Sequence, residues 1–317
     1  MNDTLLVSVQ HLSRHYGNLT AIADVSFELT QGEVLGFLGP NGAGKSTTMQ
    51  IITGNLAPSV GQVHIGGIDL LEQPRLAKAK IGYLPEHPPL YRDLSVDEYL
   101  RFCARLKRVP RDKIATAMAR AKQRCGLAKV GHRLINNLSK GYQQRVGIAQ
   151  AIIHSPSVIV LDEPTVGLDP IQIREIRELI RELGQEHGVI LSTHILPEVQ
   201  MTCDRVQIIS NGRLVFSDKV ANLNQQMDST SLVLGLQQPP AKEVLLAIEG
   251  VTDVEDLGDG RLRIHHAATA SPASRLAEQA ASQGWSLYEL SPEYKTLEQI
   301  FVDITSSEEL STLETTV

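Results

Sequence analysis

The chain has 317 residues, of which 42% are hydrophobic and 21% charged. This length fits two domains, and the composition excludes collagen-like, disordered and disulfide-stapled classes. We expect no membrane-spanning helix, because no stretch holds roughly 18 uncharged apolar residues, and no secretory signal at the first residues. Cys103, Cys125 and Cys203 are widely spaced, which indicates reduced thiols. The sequence therefore predicts a soluble intracellular protein.

The net charge of −6 is unevenly distributed. Residues 221–317 carry 5 Lys and Arg against 15 Asp and Glu (−10), whereas residues 1–220 carry 25 against 21 (+4). Opposite charges suggest two domains with different partners, and the acidic part disfavours nucleic acid as its ligand. A merely solvated acidic face accounts for the imbalance equally well.

The first 220 residues alternate short apolar runs with amphipathic stretches, which is typical of an α/β fold. A glycine-rich turn at 39–45 precedes a helix from Ser46 to about Thr53, and a second helix runs from Pro170 to Gly184. Three buried strands are predicted, at 33–38, 157–161 and 188–193.

Residues 95 to about 126 are predicted to be helical throughout, as an insertion in the α/β core. Ser95 and Glu98 form a capping box for the first helix, and Pro110 opens the second. The basic side chains of this insertion form either a docking patch or a solvated helix face; they are Arg101, Arg105, Lys107, Arg108, Arg111 and Lys113.

The C-terminal part is predicted to begin after a polar linker at 222–230. Its elements are a strand at 231–236, a helix at 241–249, a hairpin turn at 258–260, a helix at 274–282, a strand at 285–290 and a helix at 295–304. The order βαββαβ predicts a small α+β, ferredoxin-like domain. We place the domains at 1–224 and 225–306, with a disordered tail at 307–317.

A glycine-rich phosphate-binding pattern follows the first buried strand and opens a helix, as its mechanism requires. Glycines let backbone N–H groups turn toward phosphate oxygens, and the helix N-terminus adds positive potential. Lys45 is expected to reach the β- and γ-phosphates, and the Ser46 hydroxyl to ligate Mg²⁺. The expected ATP-binding residues of this loop are Gly39, Pro40, Asn41, Gly42, Ala43, Gly44, Lys45, Ser46 and Thr47.

The apolar strand Val158–Leu161 ends in Asp162 and Glu163. A buried strand delivers carboxylates into a dry site, where their charge acts more strongly. Combined with the phosphate-binding loop, Asp162 is expected to hold the magnesium shell and Glu163 to orient or deprotonate the attacking water.

Between these motifs lies Leu138-Ser139-Lys140-Gly141-Tyr142, followed by a helical run. The ordered set resembles the ATP-binding subunit of ABC transporters over residues 5 to 220. The resemblance implies an α/β P-loop ABC ATPase core with a helical subdomain at about 87–150. It further implies an adenine-stacking Tyr16, a switch His194, and an Asp169 that couples two sites, while Ser139, Lys140, Gly141 and Tyr142 would form the signature that faces a second subunit.

Two departures from the family pattern affect this signature and the segment before the helical insertion. Lys140 and Tyr142 replace a glycine and a glutamine, whereas Ser139 and Gly141, which would donate to the facing γ-phosphate, are kept. Glu86 stands where the family usually has glutamine; its carboxylate can still ligate Mg²⁺. These departures resemble the gliding-motility-associated, type-2 exporter subfamily.

The resemblance implies an ATP hydrolase that powers a membrane exporter by ATP-driven dimerisation. Its partners would be an integral-membrane permease and a second ATPase subunit, identical or homologous, on the cytoplasmic face of the membrane; no nucleic acid is expected. Non-transport ABC ATPases that act on ribosomes or DNA are the alternative, although they usually carry two cassettes or a long coiled coil. A regulatory nucleotide-binding module is a third reading, which Glu163 and His194 disfavour.

Overall fold

The computed structural model describes residues 4–227, 231–267, 270 and 272–293. The chain divides between Ala221 and Asn222 into two compact units, each considered by itself below. Within the described ranges, every helix is too short or too polar to span a lipid bilayer.

The first unit contains two β-sheets and most of the helices. Its strands are β1 (Leu5–Tyr16), β2 (Leu19–Thr30), β3 (Val34–Leu38), β4 (Val60–Ile65), β5 (Ile68–Asp69), β6 (Ile81–Leu84), β7 (Val158–Asp162), β8 (Gly188–Thr193), β9 (Arg205–Ser210) and β10 (Arg213–Lys219). Its helices are α1 (Lys45–Ile52), α2 (Pro74–Ala79), α3 (Val96–Leu106), α4 (Ile114–Arg124), α5 (Lys140–Ile152), α6 (Pro170–Gly184) and α7 (Leu196–Thr202).

The larger sheet has the order β10-β9-β3-β8-β7-β6, and only its β9–β10 pair is antiparallel. Every residue of β3, β7 and β8 is buried, as expected for parallel strands that are covered on both faces. A smaller antiparallel sheet has the order β2-β1-β4-β5. The α/β fold class is thus confirmed. Because β3, β7 and β8 are parallel neighbours, the loops that follow them meet at one edge of the sheet.

The helical insertion begins as predicted. The Ser95 hydroxyl accepts from the Glu98 N–H at 3.3 Å, and the Glu98 carboxylate accepts from the Ser95 N–H at 2.8 Å. The second helix starts later than expected, because Pro110 itself is extended (φ −52°, ψ 139°) and a 3₁₀ turn, Arg111–Lys113, precedes α4.

The second unit contains β11 (Ser231–Leu236), α9 (Lys242–Leu246), β12 (Val251–Gly258), β13 (Arg261–His266), α10 (Ala273–Gln283) and β14 (Leu287–Pro292). Its sheet is antiparallel with the order β12-β13-β11-β14, which confirms the ferredoxin-like topology. Asp259 and Gly260 form the predicted hairpin turn, and both have positive φ, as a two-residue turn of this kind requires.

Three boundaries differ from expectation. Helix α8 (Val220–Met227) occupies most of the predicted linker at 222–230, because Val220 and Leu223 have helical spacing and both are buried. Helix α9 is shorter than predicted, and β14 starts two residues late because Ser286 has a left-handed backbone (φ 54°). The predicted helix at 295–304 and the tail at 307–317 lie outside the described residues.

Among the described residues, the cores of the two units use separate parts of the chain. The two large hydrophobic clusters of the first unit lie between Leu6 and Ile209, and that of the second lies between Leu232 and Leu290. We therefore propose that these units are independent domains and predict that a chain ending at Met227 stays soluble and unfolds in one cooperative transition. Denaturant unfolding of this chain beside the full-length protein tests the prediction, and insolubility of the shorter chain would show that the units share a core.

Candidate functional site

The candidate site lies where β3, β7 and β8 end. Asp162 pairs with Ser192 across the β7–β8 ladder, and the next N–H, that of Glu163, donates to the Ser192 carbonyl at 2.9 Å. On the other side of β8, the Gly39 N–H donates to the Thr193 carbonyl at 3.4 Å. Parallel pairing therefore brings three distant sequence segments to the same edge.

The loop between β3 and α1 depends on its glycines. Gly44, the N-cap of α1, has φ 109°, and a Cβ there would lie 2.7 Å from Ile22 Cγ2 and 2.9 Å from the Ala21 carbonyl oxygen. Gly42 also has a positive φ of 82°. A backbone of this kind is open to glycine and strained for other residues.

Lys45 is 5% exposed, and its side chain folds back over the loop. Its Nζ donates to the carbonyl oxygens of Gly39 at 2.8 Å and Pro40 at 3.2 Å. The ammonium is thereby held at the mouth of the loop, where an anionic ligand would meet it.

One cavity of about 430 Å³ joins the sequence motifs at this edge. It brings together the phosphate-binding loop, both expected catalytic residues and Glu86. Its lining residues are Ala21, Asn41, Gly42, Gly44, Lys45, Ser46, Thr47, Glu86, Glu163, Val166 and His194. The size and the polar groups suit a small anionic ligand.

Glu163 occupies the centre of the site's charges. Its side chain is buried, with Oε1 3.5 Å from Lys45 Nζ and both carboxylate oxygens 3.0 Å from His194 Nδ1. The backbone of Glu163 is left-handed (φ 48°), a strained conformation that is found where a side chain must be aimed at a functional centre. Glu163 therefore links the phosphate-binding loop to the exposed imidazole of His194.

Asp162 is a buried carboxylate, and within the described chain its Oδ1 has no hydrogen-bond partner. Burial raises the pKa of Asp162, the charges of Glu163 and Glu86 raise it further, and the nearby hydroxyls of Ser192 and Ser46 oppose the rise. An unpartnered carboxylate oxygen beside a hydroxyl is a hard-oxygen set that fits Mg²⁺. The described residues include no group of three or more His, Cys, Asp or Glu side chains that could hold a metal ion. Mg²⁺ is commonly held by one or two carboxylates together with substrate phosphates.

Glu198 is a site-supporting residue that sequence reasoning missed. It is 1% exposed on α7, where its carboxylate accepts hydrogen bonds from the Thr165 hydroxyl and, at 2.6 Å, from the Thr193 hydroxyl. It thus ties the loop after Glu163 to the strand end before His194. Acidic residues are common in the first turn of a helix, where they interact favourably with the helix dipole. Nothing in the sequence therefore indicated that Glu198 supports the site.

The signature residues lie outside the cavity's lining. Ser139 caps α5, and its hydroxyl accepts from the Tyr142 N–H at 3.5 Å. A Cβ on Gly141 would lie 2.2 Å from Gln172 Oε1, so glycine lets α5 and α6 approach. Lys140 lines a second cavity of about 380 Å³, which shares Glu86 and Val166 with the first; a Cβ on Gly167 would meet the Lys140 amine.

Two further expected site residues are also outside the lining. Tyr16 is 45% exposed, with the Arg14 guanidinium carbon 4.7 Å from the centre of its ring. Asp169 is the N-cap of α6, where its Oδ1 accepts from the N–H groups of Ile171 at 3.1 Å and Gln172 at 3.0 Å. Its structural contribution within this chain is therefore to start a helix.

Comparisons with known proteins agree on one family. The family model described as "ABC transporter" matches residues 22–166, and a model described as an AAA domain matches residues 132–201. The ABC transporter ATP-binding protein YhcH of Bacillus subtilis is 34% identical over 303 residues, which cover 95% of this chain and 96% of that protein. The bacitracin transport ATP-binding protein BcrA of Bacillus licheniformis is 29% identical and covers 94% of this chain and 97% of its own length.

Solved structures give the same result for the first unit. A structure titled as the ATP-binding subunit of an ABC transporter has a TM-score of 0.64 and 32% identity, and it covers 70% of this chain and 92% of its own. CbiO1 of Clostridium perfringens, part of the ABC transporter complex cbiONQ, has the same TM-score with 29% identity and covers 70% of this chain and 91% of its own. The chain therefore belongs to the family of ATP-binding subunits of ABC transporters, which hydrolyse ATP.

Proposed function

We propose that the chain binds and hydrolyses ATP to drive a membrane exporter. In this proposal, two ATPase subunits dimerise on the cytoplasmic face of the membrane when they bind ATP, and this movement drives transport. The observation that carries this proposal is the cavity that joins Lys45 and Ser46 to Glu163 and His194. An anion-binding loop, a buried carboxylate and an imidazole around one space are the groups that phosphoryl transfer to water needs.

ATP would bind with its phosphates over the loop at 39–47, where backbone N–H groups and Lys45 supply the positive field. Tyr16 would stack on the adenine. Ser46, Asp162 and Glu86 would hold Mg²⁺, which supplies charge neutralisation at the phosphates.

The contacts of Glu163 suggest how binding prepares hydrolysis. The Glu163 carboxylate lies 3.5 Å from the Lys45 amine. Bound phosphates would compete for that amine and leave Glu163 free to orient and deprotonate a water. His194, already 3.0 Å from Glu163, is exposed on its other side and would hold the γ-phosphate.

A second subunit would complete the site. Ser139, Lys140 and Tyr142 are exposed on their own chain and do not line its cavity, so their hydrogen-bonding groups are available to a facing nucleotide. Asp169, on the exposed start of α6, would couple the two sites. Either a second copy or a homologous ATPase subunit satisfies this arrangement.

Export is supported by the names of long relatives. BcrA is described as a bacitracin transport protein, and LnrL of Bacillus subtilis, 29% identical over 95% of this chain, as a linearmycin resistance protein. Both relatives match 94% or more of this chain, and the transport and resistance in their names favour export over import.

Glu163→Gln should lower ATP turnover by roughly 100- to 10,000-fold, because the amide cannot accept the proton of the attacking water. ATP binding should persist, and size-exclusion chromatography with ATP and Mg²⁺ should show a trapped dimer. Glu178→Gln, an exposed carboxylate of α6, is the control. Undiminished turnover in the Glu163 variant would mean that another group is the base.

Asp162→Asn should abolish Mg²⁺-dependent turnover yet raise the melting temperature of the nucleotide-free protein at pH 7. The folded-state pKa of Asp162 is raised, so its ionised form destabilises the fold as the pH rises through that pKa. The stability gap between variant and wild type should therefore narrow at acidic pH. Thermal unfolding between pH 4 and pH 8, beside the exposed Asp112→Asn control, tests this, because the gap closes toward the ordinary aspartate pKa of 3.8. A variant that is less stable at every pH would contradict it.

An exposed aromatic cluster on the helical insertion supports a permease-docking surface. The Tyr91 and Phe102 rings are 5.4 Å apart and are 55% and 42% exposed, whereas Tyr99, against which Tyr91 packs, is buried. The cluster follows Glu86 along the chain, so the same segment reaches both the cavity and this surface. Exposed aromatic groups of this kind are common anchors of protein interfaces.

Replacing Tyr91 and Phe102 together by serine should weaken binding to the permease by about 30-fold or more while leaving the ATPase activity of the isolated subunit unchanged. A pull-down of tagged protein from native membranes in mild detergent measures the bound partner. Leu76→Ser, at an equally exposed position of α2, is the matched control. Equal recovery of the permease with both variants would place the docking surface elsewhere.

A further inference from the structure

A third cavity, of about 560 Å³, lies away from the nucleotide site, between the α3–α4 connection and the turn that follows α5. Its walls include apolar groups from Val109, Pro110 and Ile153. Its charged lining residues are all cationic, namely Lys107, Arg108, Lys113 and Arg120, and its other polar lining residues are Thr116, His154 and Ser155.

The positive charge of this cavity is uncompensated. No carboxylate lines it, and in the described chain none of its four Lys and Arg residues forms an ion pair. Asp112, beside Lys113 in the sequence, does not line it. The bonded partners of Arg120 and Lys107 are neutral, namely the Ser155 hydroxyl and, at 3.3 Å, the Ile81 carbonyl. Arg108, Lys113 and Arg120 are exposed, and Lys107 is half-buried. Four cations that share one concave surface without a carboxylate create a positive potential that attracts anions.

Two polar groups at the base of the cavity are withdrawn from water. Burial lowers the pKa of Lys107, and the charge of Lys78 adds to this effect. His154 donates from Nε2 to the Ile81 carbonyl at 3.1 Å, and its Nδ1 is inaccessible and has no partner among the described residues. Burial, followed by the charge of Lys107, lowers the pKa of His154 to about 4. The imidazole is therefore neutral at pH 7, and it adds no positive charge to the cavity.

We propose that this cavity is a second anion site, which binds a phosphate group through the side chains of Lys107, Lys113 and Arg120. The unprotonated oxygens of a phosphate group, in a monoester or in a diester, accept hydrogen bonds from these cations. The apolar walls leave room for carbon attached to the phosphate, so the source is either a phospholipid headgroup or a small phosphate compound.

The site is distinct from the ATP-binding loop. Lys107 and His154 both bond to Ile81, the first residue of β6, whereas Glu86 of the nucleotide cavity follows the opposite end of that strand. No residue lines both cavities. Because both groups hold the β6 strand, an occupied site would brace the strand that leads to Glu86.

The test follows the His154 imidazole by NMR while inorganic phosphate is added at constant ionic strength, with the nucleotide site saturated by ADP. Loss of the signal in His154→Gln assigns the resonance. A saturable shift is expected, and Lys113→Glu should weaken the apparent affinity roughly 10- to 100-fold. Lys129→Glu, an exposed position of the same subdomain outside the cavity, should leave it unchanged. Arg120→Gln provides a second variant that adds no negative charge, and unfolding midpoints of all variants verify that they fold.

A second arm distinguishes the two sources. Vesicles of phosphatidylglycerol and of phosphatidylcholine are sedimented with wild type, Lys113→Glu and Lys129→Glu. A lipid headgroup is supported if the wild type binds phosphatidylglycerol but not phosphatidylcholine vesicles and Lys113→Glu abolishes that binding. A small phosphate compound is supported if phosphate shifts the His154 signal and neither kind of vesicle binds. If neither probe binds, or if Lys113→Glu and Lys129→Glu behave alike with both probes, the proposed site is wrong. ADP binding is measured separately, so a negative result with both probes would leave the assignment of the nucleotide site unchanged.

Discussion

The parallel pairing of β3, β8 and β7 is the constraint on which the rest of the structure depends. The register that sets Asp162 opposite Ser192 also places Glu163 beside the end of β8, and the β3–β8 ladder sets Leu38 opposite Thr193. Each strand is followed by a motif, so the loop at 39–47 meets two segments that lie more than a hundred residues further along the chain. A slip of one residue in either ladder would exchange buried and site-facing side chains.

Concentrated buried charge is the energetic cost of this arrangement. Asp162 and Glu163 are adjacent carboxylates, both under 10% exposed, and Lys45 is buried beside them. Burial raises the pKa of Asp162, and the Oδ1 atom of this carboxylate has no hydrogen-bond partner within the described chain. Binding sites commonly sacrifice stability in this way, since the missing partners are supplied by the ligand.

Glu198 shows how the fold holds this charged edge in place. Its two carboxylate oxygens accept from hydroxyls on the loop after β7 and on the end of β8. This buried bridge therefore joins the loop that follows Glu163 to the end of the strand that precedes His194. The helical insertion contributes differently, because it presents the exposed Tyr91 and Phe102 rings and lines a cationic cavity.

The phosphate-binding loop, the acidic strand and the βαββαβ order could all be predicted from the sequence, because each is encoded by local spacing within a short window. Other features could not be predicted from the sequence. They are helix α8, the left-handed residue before β14, and the separation of Tyr16 and Asp169 from the cavity. Those features depend on which distant side chains bury a given residue, as Leu223 in a polar run illustrates.

The sequence by itself determined the family and the chemistry, since glycine, lysine and carboxylate patterns are local. Only the tertiary structure decided that Glu163 lies between Lys45 and His194, that Glu198 braces both strand ends, and that four cations converge on one cavity, because distance and burial arise from long-range packing.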